Sequence, residues 1–140
     1  MYYDNIEKST LNNSNFRHVI YTSPKKDFQL VLMSLKPNED IGMEIHENIT
    51  QFFRFESGSG KAIVNGKEQE LHDGDVIVIP KGTEHNIIAG DKGLKLYTIY
   101  VPANHPDGKI QKEKELEGGY YEKYLTYKRK YINLKKKMKL

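Results

Sequence analysis

The chain has no cysteine among its 140 residues, which excludes disulfide staples and thiolate metal sites and leaves a reducing compartment compatible. It also has no run of about 18 apolar residues, so no membrane-spanning helix is expected. The opening MYYDNIEKST lacks the basic-then-apolar order of a signal peptide. These absences describe a soluble, intracellular and cytoplasmic protein. Two common catalytic signatures are missing as well. No serine stands in a nucleophile elbow, and Gly58-Ser59-Gly60 has no phosphate-binding loop behind it. A chain of this length implies one domain able to bury its own core.

The formal net charge of +3 conceals an asymmetry. From Gly119 to Leu140, eight lysines and arginines face one acid, Glu122, so the tail is strongly basic and the remainder mildly acidic. Four segments follow: an N-terminal arm and first strand over 1–27, a β-barrel over 28–102, a linker over 103–118, and a basic amphipathic helix over 119–140. In the tail, Tyr120, Tyr124, Tyr127, Tyr131, Leu134 and Met138 recur at helical 4-3 spacing. A protein-partner or oligomerisation helix, a surface for nucleic acid or acidic membrane, and a solvated appendage remain open there.

Between the arm and the linker the pattern is all-β. Residues 5–9 read as an arm or loose strand, His18 to Thr22 and Gln29 to Leu35 as strands, and Gly42 to His46 as a short strand. Gln51 to Glu56 follows, with Gln51, Phe53 and Phe55 on one face. Ser57 to Gly60 reads as a tight turn before Lys61 to Val64, and Asn65-Gly66 as a type I′ hairpin turn. Strands at Asp75 to Ile79, 85–89 and 94–101 complete the set, the last two joined through Gly90 to Gly93. With Lys67 to Leu71 after the hairpin turn, some eight or nine short strands punctuated by turns imply an antiparallel sandwich or barrel.

Chemistry concentrates between Gly42 and Ala89. Glu44 and His46 stand two apart, so on a strand they share a face, and His85 arrives from a distant strand. Two imidazoles and a carboxylate suit a divalent first-row metal and leave coordination positions open. His18 has no companion ligand at nearby spacing and reads as structural or exposed. His105, in the loop Pro102 to Gly108, reads as an ordinary loop residue, with ligand contact the alternative.

These residues resemble the motifs of the cupins, small double-sheet β-barrels of jelly-roll type. Gly74, Pro80, Gly82 and His85 match the pattern G(x5)PxG(x2)H, with Ala89 in place of its final Asn. In the companion motif, Glu44 stands for the first His, His46 for the second, Gln51 for the Glu and Gly58 for the closing Gly. The resemblance implies a divalent cation (Fe, Mn, Zn or Ni) held by Glu44, His46 and His85, with Gln51 as fourth ligand or neighbour. It also implies a small-molecule ligand and a homodimer formed through the sheet, with Tyr97, Ile99 and Val101 on its outer face. Resembling proteins include mannose-6-phosphate isomerase-like and other sugar-modifying proteins, dioxygenases and pure ligand binders. The first reading is a sugar isomerase-like metal protein; the second is a noncatalytic module recruited to an assembly by its tail. Two alternatives stay open in the site. Glu44 acts as a general base with a raised pKa instead of a ligand, or the polar cluster holds buried water and no metal. The tail wording YEKYLTYKRKYINLKKK is similar to Tyr/Lys-rich segments at the ends of giant DNA virus proteins, which would place the chain in host cytoplasm or a virion.

Overall fold

The computed structural model describes residues 1–114; the expected helix over 119–140 lies outside them. Helix α1 (Ile6–Asn12) precedes seven strands, β1 (Arg17–Thr22), β2 (Gln29–Leu35), β3 (Thr50–Val64), β4 (Lys67–Leu71), β5 (Val76–Ile79), β6 (His85–Val101) and β7 (Ile110–Gln111). The hydrogen-bonded order is β4-β3-β6-β2-β1-β7, with β5 also on β3, and every pairing is antiparallel.

Two long strands organise the sheet. β3 pairs with β6 from Thr50↔Val101 to Val64↔His85, with register shifts between Phe55 and Ser57 and between Gly58 and Gly60. The sequence reads Ser57 to Gly60 as a turn, but the chain bends there and continues as one strand. Gly90 to Gly93 likewise stays within β6. The cause is close approach. A Cβ on Gly58 would lie 2.1 Å from the Gly93 carbonyl oxygen, and one on Gly60 2.3 Å from that of Ile88. Glycine here serves bulges and backbone contact, as it often does inside strands.

Period-two alternation fills the interior. Gln51, Phe53 and Phe55 are buried along β3, and Leu94, Leu96, Thr98 and Tyr100 along β6. Phe53 and Phe55 lie with ring planes 6° apart, centroids 6.1 Å apart, and each buried ring stabilises the fold by about 2 kcal/mol. The opposite face keeps Tyr97 and Ile99 partly exposed and leaves Val76, Val78 and Val101 open.

Two further segments depart from expectation. Residues 6–12 are helical because Asn5 caps them, accepting from the Lys8 N–H at 2.9 Å, with acidic Glu7 in the first turn. With Thr10 its one buried residue, that helix carries too little apolar periodicity to read from sequence. Residues 42–46 form a loop, because Gly42 adopts φ +111 and ends strand geometry. Isolated bridges, Asp40↔Ile88 and Glu44↔His85, replace the ladder there.

Candidate metal centre

The Glu44↔His85 bridge builds the site. Glu44 N–H donates to the His85 carbonyl and His85 N–H to that of Glu44, both at 2.9 Å, locking two remote segments together. Met43 and Ile45 point to solvent, so Glu44 and His46 share the inward side even without a regular strand. The Pro80-Lys81-Gly82 turn that delivers His85 also latches His46, because Gly82, at φ +74, donates its N–H to the His46 carbonyl at 2.8 Å. One donor atom each from Glu44, His46 and His85 then lie within 4.8 Å of one another.

Gln51, 1% exposed on β3, approaches from the opposite wall. Its Nε2 donates to Thr98 Oγ1 at 2.9 Å, and that hydroxyl donates to the Phe52 carbonyl at 2.9 Å. Thr98 has one proton to give, so the Gln51 amide is oriented with Oε1 toward His85 Nε2, 3.2 Å away. On its other side, His85 Nδ1 lies 2.9 Å from the Thr83 carbonyl. The neutral ring has one N–H for two acceptors. Only imidazolium would satisfy both, and burial lowers the His85 pKa, outweighing the Thr83 contact and the Glu44 charge. With Nδ1–H given to Thr83, the Nε2 lone pair and Gln51 Oε1 converge on one point with nothing to share. A cation resolves that conflict, and a ligand histidine donating its other N–H to a carbonyl is the usual support for one. The donor set fits a divalent metal.

His46 Nε2 sits 3.0 Å from Glu44 Oε2. Burial raises the Glu44 pKa, but the His46 hydrogen bond and the electrostatic pull of His46, Arg17 and His85 outweigh it and hold the carboxyl below its usual range. The upward shift expected of a base in an apolar pocket is thus reversed by its neighbours. An ionised carboxylate is suited to ligation.

Three further residues line the site. Buried Tyr100 stands opposite Gln51 in the β3–β6 register. Burial and the Glu44 charge raise its pKa strongly, outweighing the pull of Arg17 and Gln51, so the hydroxyl keeps its proton. His105 Nε2 lies 3.3 Å from that hydroxyl. Its loop is pinned by fully buried Gln29, whose Oε1 accepts from the Asn104 and His105 N–H groups while Nε2 donates to the His105 carbonyl at 2.7 Å. His105 is therefore more than a loop residue. Arg17, 7% exposed, is the third. Its strand reads as starting at His18, which leaves Arg17 outside; the inward pair Arg17 and Val19 was the available signal. His18 pairs opposite Leu32 and Ile110 in the sheet, apart from the triad.

The His105 pKa falls to about 4, through burial first, then Arg17, with Lys109 and His46 adding and Glu44 opposing. Unfolded chains take up this proton near pH 6.5 and native ones only near pH 4. In that window the unfolded state binds more protons, so stability falls as pH drops and levels off below it. The loss amounts to at most about 3 kcal/mol. His105→Gln is expected to flatten urea-derived stability between those pH values relative to wild type; an unchanged slope would remove His105 as its source.

The fold and the cluster define a class, a small antiparallel β-barrel protein with two histidines and a carboxylate converging on its interior. Residues 31–100 match the family model described as Cupin domain, and the chain belongs to the cupins. It is 44% identical over 147 residues to protein L612 of Acanthamoeba polyphaga mimivirus, covering 96% of this chain and 91% of that protein. It is 44% identical over 118 residues to YrkC of Bacillus subtilis, covering 79% of this chain and 62% of that one. The crystal structure of BH2720 from Bacillus halodurans superposes with a TM-score of 0.76 at 38% identity, over 79% of this chain and 88% of that one.

Proposed function

We propose that this cupin holds one divalent cation through Glu44, His46 and His85, with Gln51 as fourth ligand or neighbour, and acts on a small molecule in the manner of a sugar isomerase. The observation that carries the metal is the convergence of Glu44, His46 and His85, one ligand atom from each within 4.8 Å of the others, with Gln51 Oε1 3.2 Å from His85 Nε2. The candidate cations are Fe, Mn, Zn and Ni, all suited to imidazole and carboxylate donors. When bound, such an ion polarises a substrate carbonyl as a Lewis acid.

The other roles belong to the chain. Thr98 and Thr83 orient Gln51 and His85. Glu44, kept ionised, serves as a ligand; a general base works best with a pKa near the operating pH, and this one is moved away from it. Tyr100 keeps its proton and can donate a hydrogen bond to a substrate oxygen. Phe53, its ring centroid 6.1 Å from that of His85, screens the cluster from water on the barrel side.

The test is hydrogen exchange. Protein loaded separately with each metal is incubated with paired aldoses and ketoses in D2O, and deuterium at the carbon next to the carbonyl is read by NMR. Metal-dependent exchange with at least one pair is expected. Stoichiometric metal with neither exchange nor aldose–ketose interconversion, read in the same spectra, on any pair would overturn the isomerase reading and favour the noncatalytic module recruited by its basic tail.

A further inference from the structure

Among the described residues, Arg17 is a buried cation with no acid in an ion pair with it. Its Nη1 donates to Gln111 Oε1, Phe16 packs its ring 5.2 Å from the guanidinium, and Nε is buried with no hydrogen-bond partner among the described residues. None of the ion pairs among those residues includes it. A buried charge is costly unless it is paired, so an uncompensated guanidinium inside a barrel calls for a counter-charge. The acid its charge acts on is Glu44, already engaged by His46 at 3.0 Å. Arg17 nonetheless lies close enough to the site for its charge to act on Glu44, Tyr100 and His105.

We infer that the molecule bound beside the triad carries a carboxylate, and that Arg17 receives it. The geometry favours this group. With Nη1 occupied, the orphan lies on the guanidinium edge that presents two parallel N–H groups, the fork that a planar carboxylate matches with two oxygens. Charge balance points the same way. One carboxylate, Glu44, stands against a guanidinium and, in the proposed function on which this inference rests, a divalent cation. An anion close to both removes the excess.

The probe is glycolate, with ethylene glycol as its neutral counterpart and inorganic phosphate as the competing anion, titrated calorimetrically into manganese-loaded protein. Glycolate is expected to bind, ethylene glycol not detectably, and phosphate more weakly. Arg17→Gln should weaken glycolate about 30-fold, the range of a lost charge-assisted hydrogen bond, and Arg17→Lys less, both with unchanged manganese content. Equal glycolate affinity in wild type and a metal-retaining Arg17→Gln protein would overturn the inference, and tighter phosphate binding would overturn the choice of carboxylate. A second arm uses wild-type apoprotein, following the Arg17 Nε–H resonance by NMR as glycolate is added. That resonance should shift without any metal. That shift together with no manganese uptake by the same protein would keep the carboxylate site and discard the metal; no shift would discard the carboxylate site.

Discussion

His85→Ala is expected to abolish stoichiometric metal in protein purified without chelator, and Glu44→Ala to do the same. Removing even an outer partner of a metal ligand costs about 10- to 100-fold in affinity, so loss of a ligand should exceed 100-fold. The effect is also visible in stability. A ligand at 100 times its Kd adds about 2.7 kcal/mol, roughly 10 °C in Tm for a domain of this size. Wild-type protein should gain that increment when manganese or zinc is added after chelation, and neither variant should. His85→Ala strands the Thr83 carbonyl and leaves a cavity where the ring stood, 2% exposed, so it should also unfold earlier in apo form. Glu44→Ala separates the two effects, because its side chain is 26% exposed and its backbone bridge to His85 needs no carboxylate. Stoichiometric metal retained by Glu44→Ala and His85→Ala alike would remove the centre as described.

Some of this was readable from residues alone. Gly74, Pro80, Gly82 and His85 are spaced by backbone requirements, a positive φ at Gly74 and Gly82 and a fixed φ at Pro80, so the pattern survives as sequence. Asn65-Gly66 was legible for the same reason, and both residues adopt positive φ. The alternation through Gln51, Phe53 and Phe55 reported which way β3 faces. What stayed hidden depends on partners distant in sequence. A Gly-Ser-Gly run looks the same in a turn and in a bulge, and only the opposing Gly93 and Ile88 carbonyls decide between them. The Glu44 pKa is lowered first by His46, whose ring reaches it only in the folded loop, and then by Arg17 and His85, which are remote in sequence. Arg17 itself is a charged residue at the start of a short strand, a place where solvent exposure is the ordinary outcome. Its burial is visible only once β2 and β7 flank it.

Gly58→Ala is expected to lower stability by about 4 kcal/mol, near the upper end for a single substitution. Two costs add. Gly58 sits at φ +93, where a side chain is strained by about 1–3 kcal/mol, and its Cβ would meet the Gly93 carbonyl oxygen at 2.1 Å, which only backbone movement relieves. Gly66→Ala is the control, since that turn glycine has φ +78 but nothing within 4 Å, and it should cost only about 1 kcal/mol. The measured difference therefore reports the contact between the two long strands rather than backbone conformation. It also bears on the site, because the β3–β6 pairing sets Gln51 opposite Tyr100 at one end and His85 opposite Val64 at the other, with the glycine bends between them. Shifting the bend moves Gln51 relative to His85, so Gly58→Ala should weaken metal retention as well as lowering Tm by about 15 °C, while Gly66→Ala leaves metal retention intact. Equal Tm losses in the two variants, read by calorimetry, would show that close strand approach at Gly58 does not hold the halves of the barrel in register.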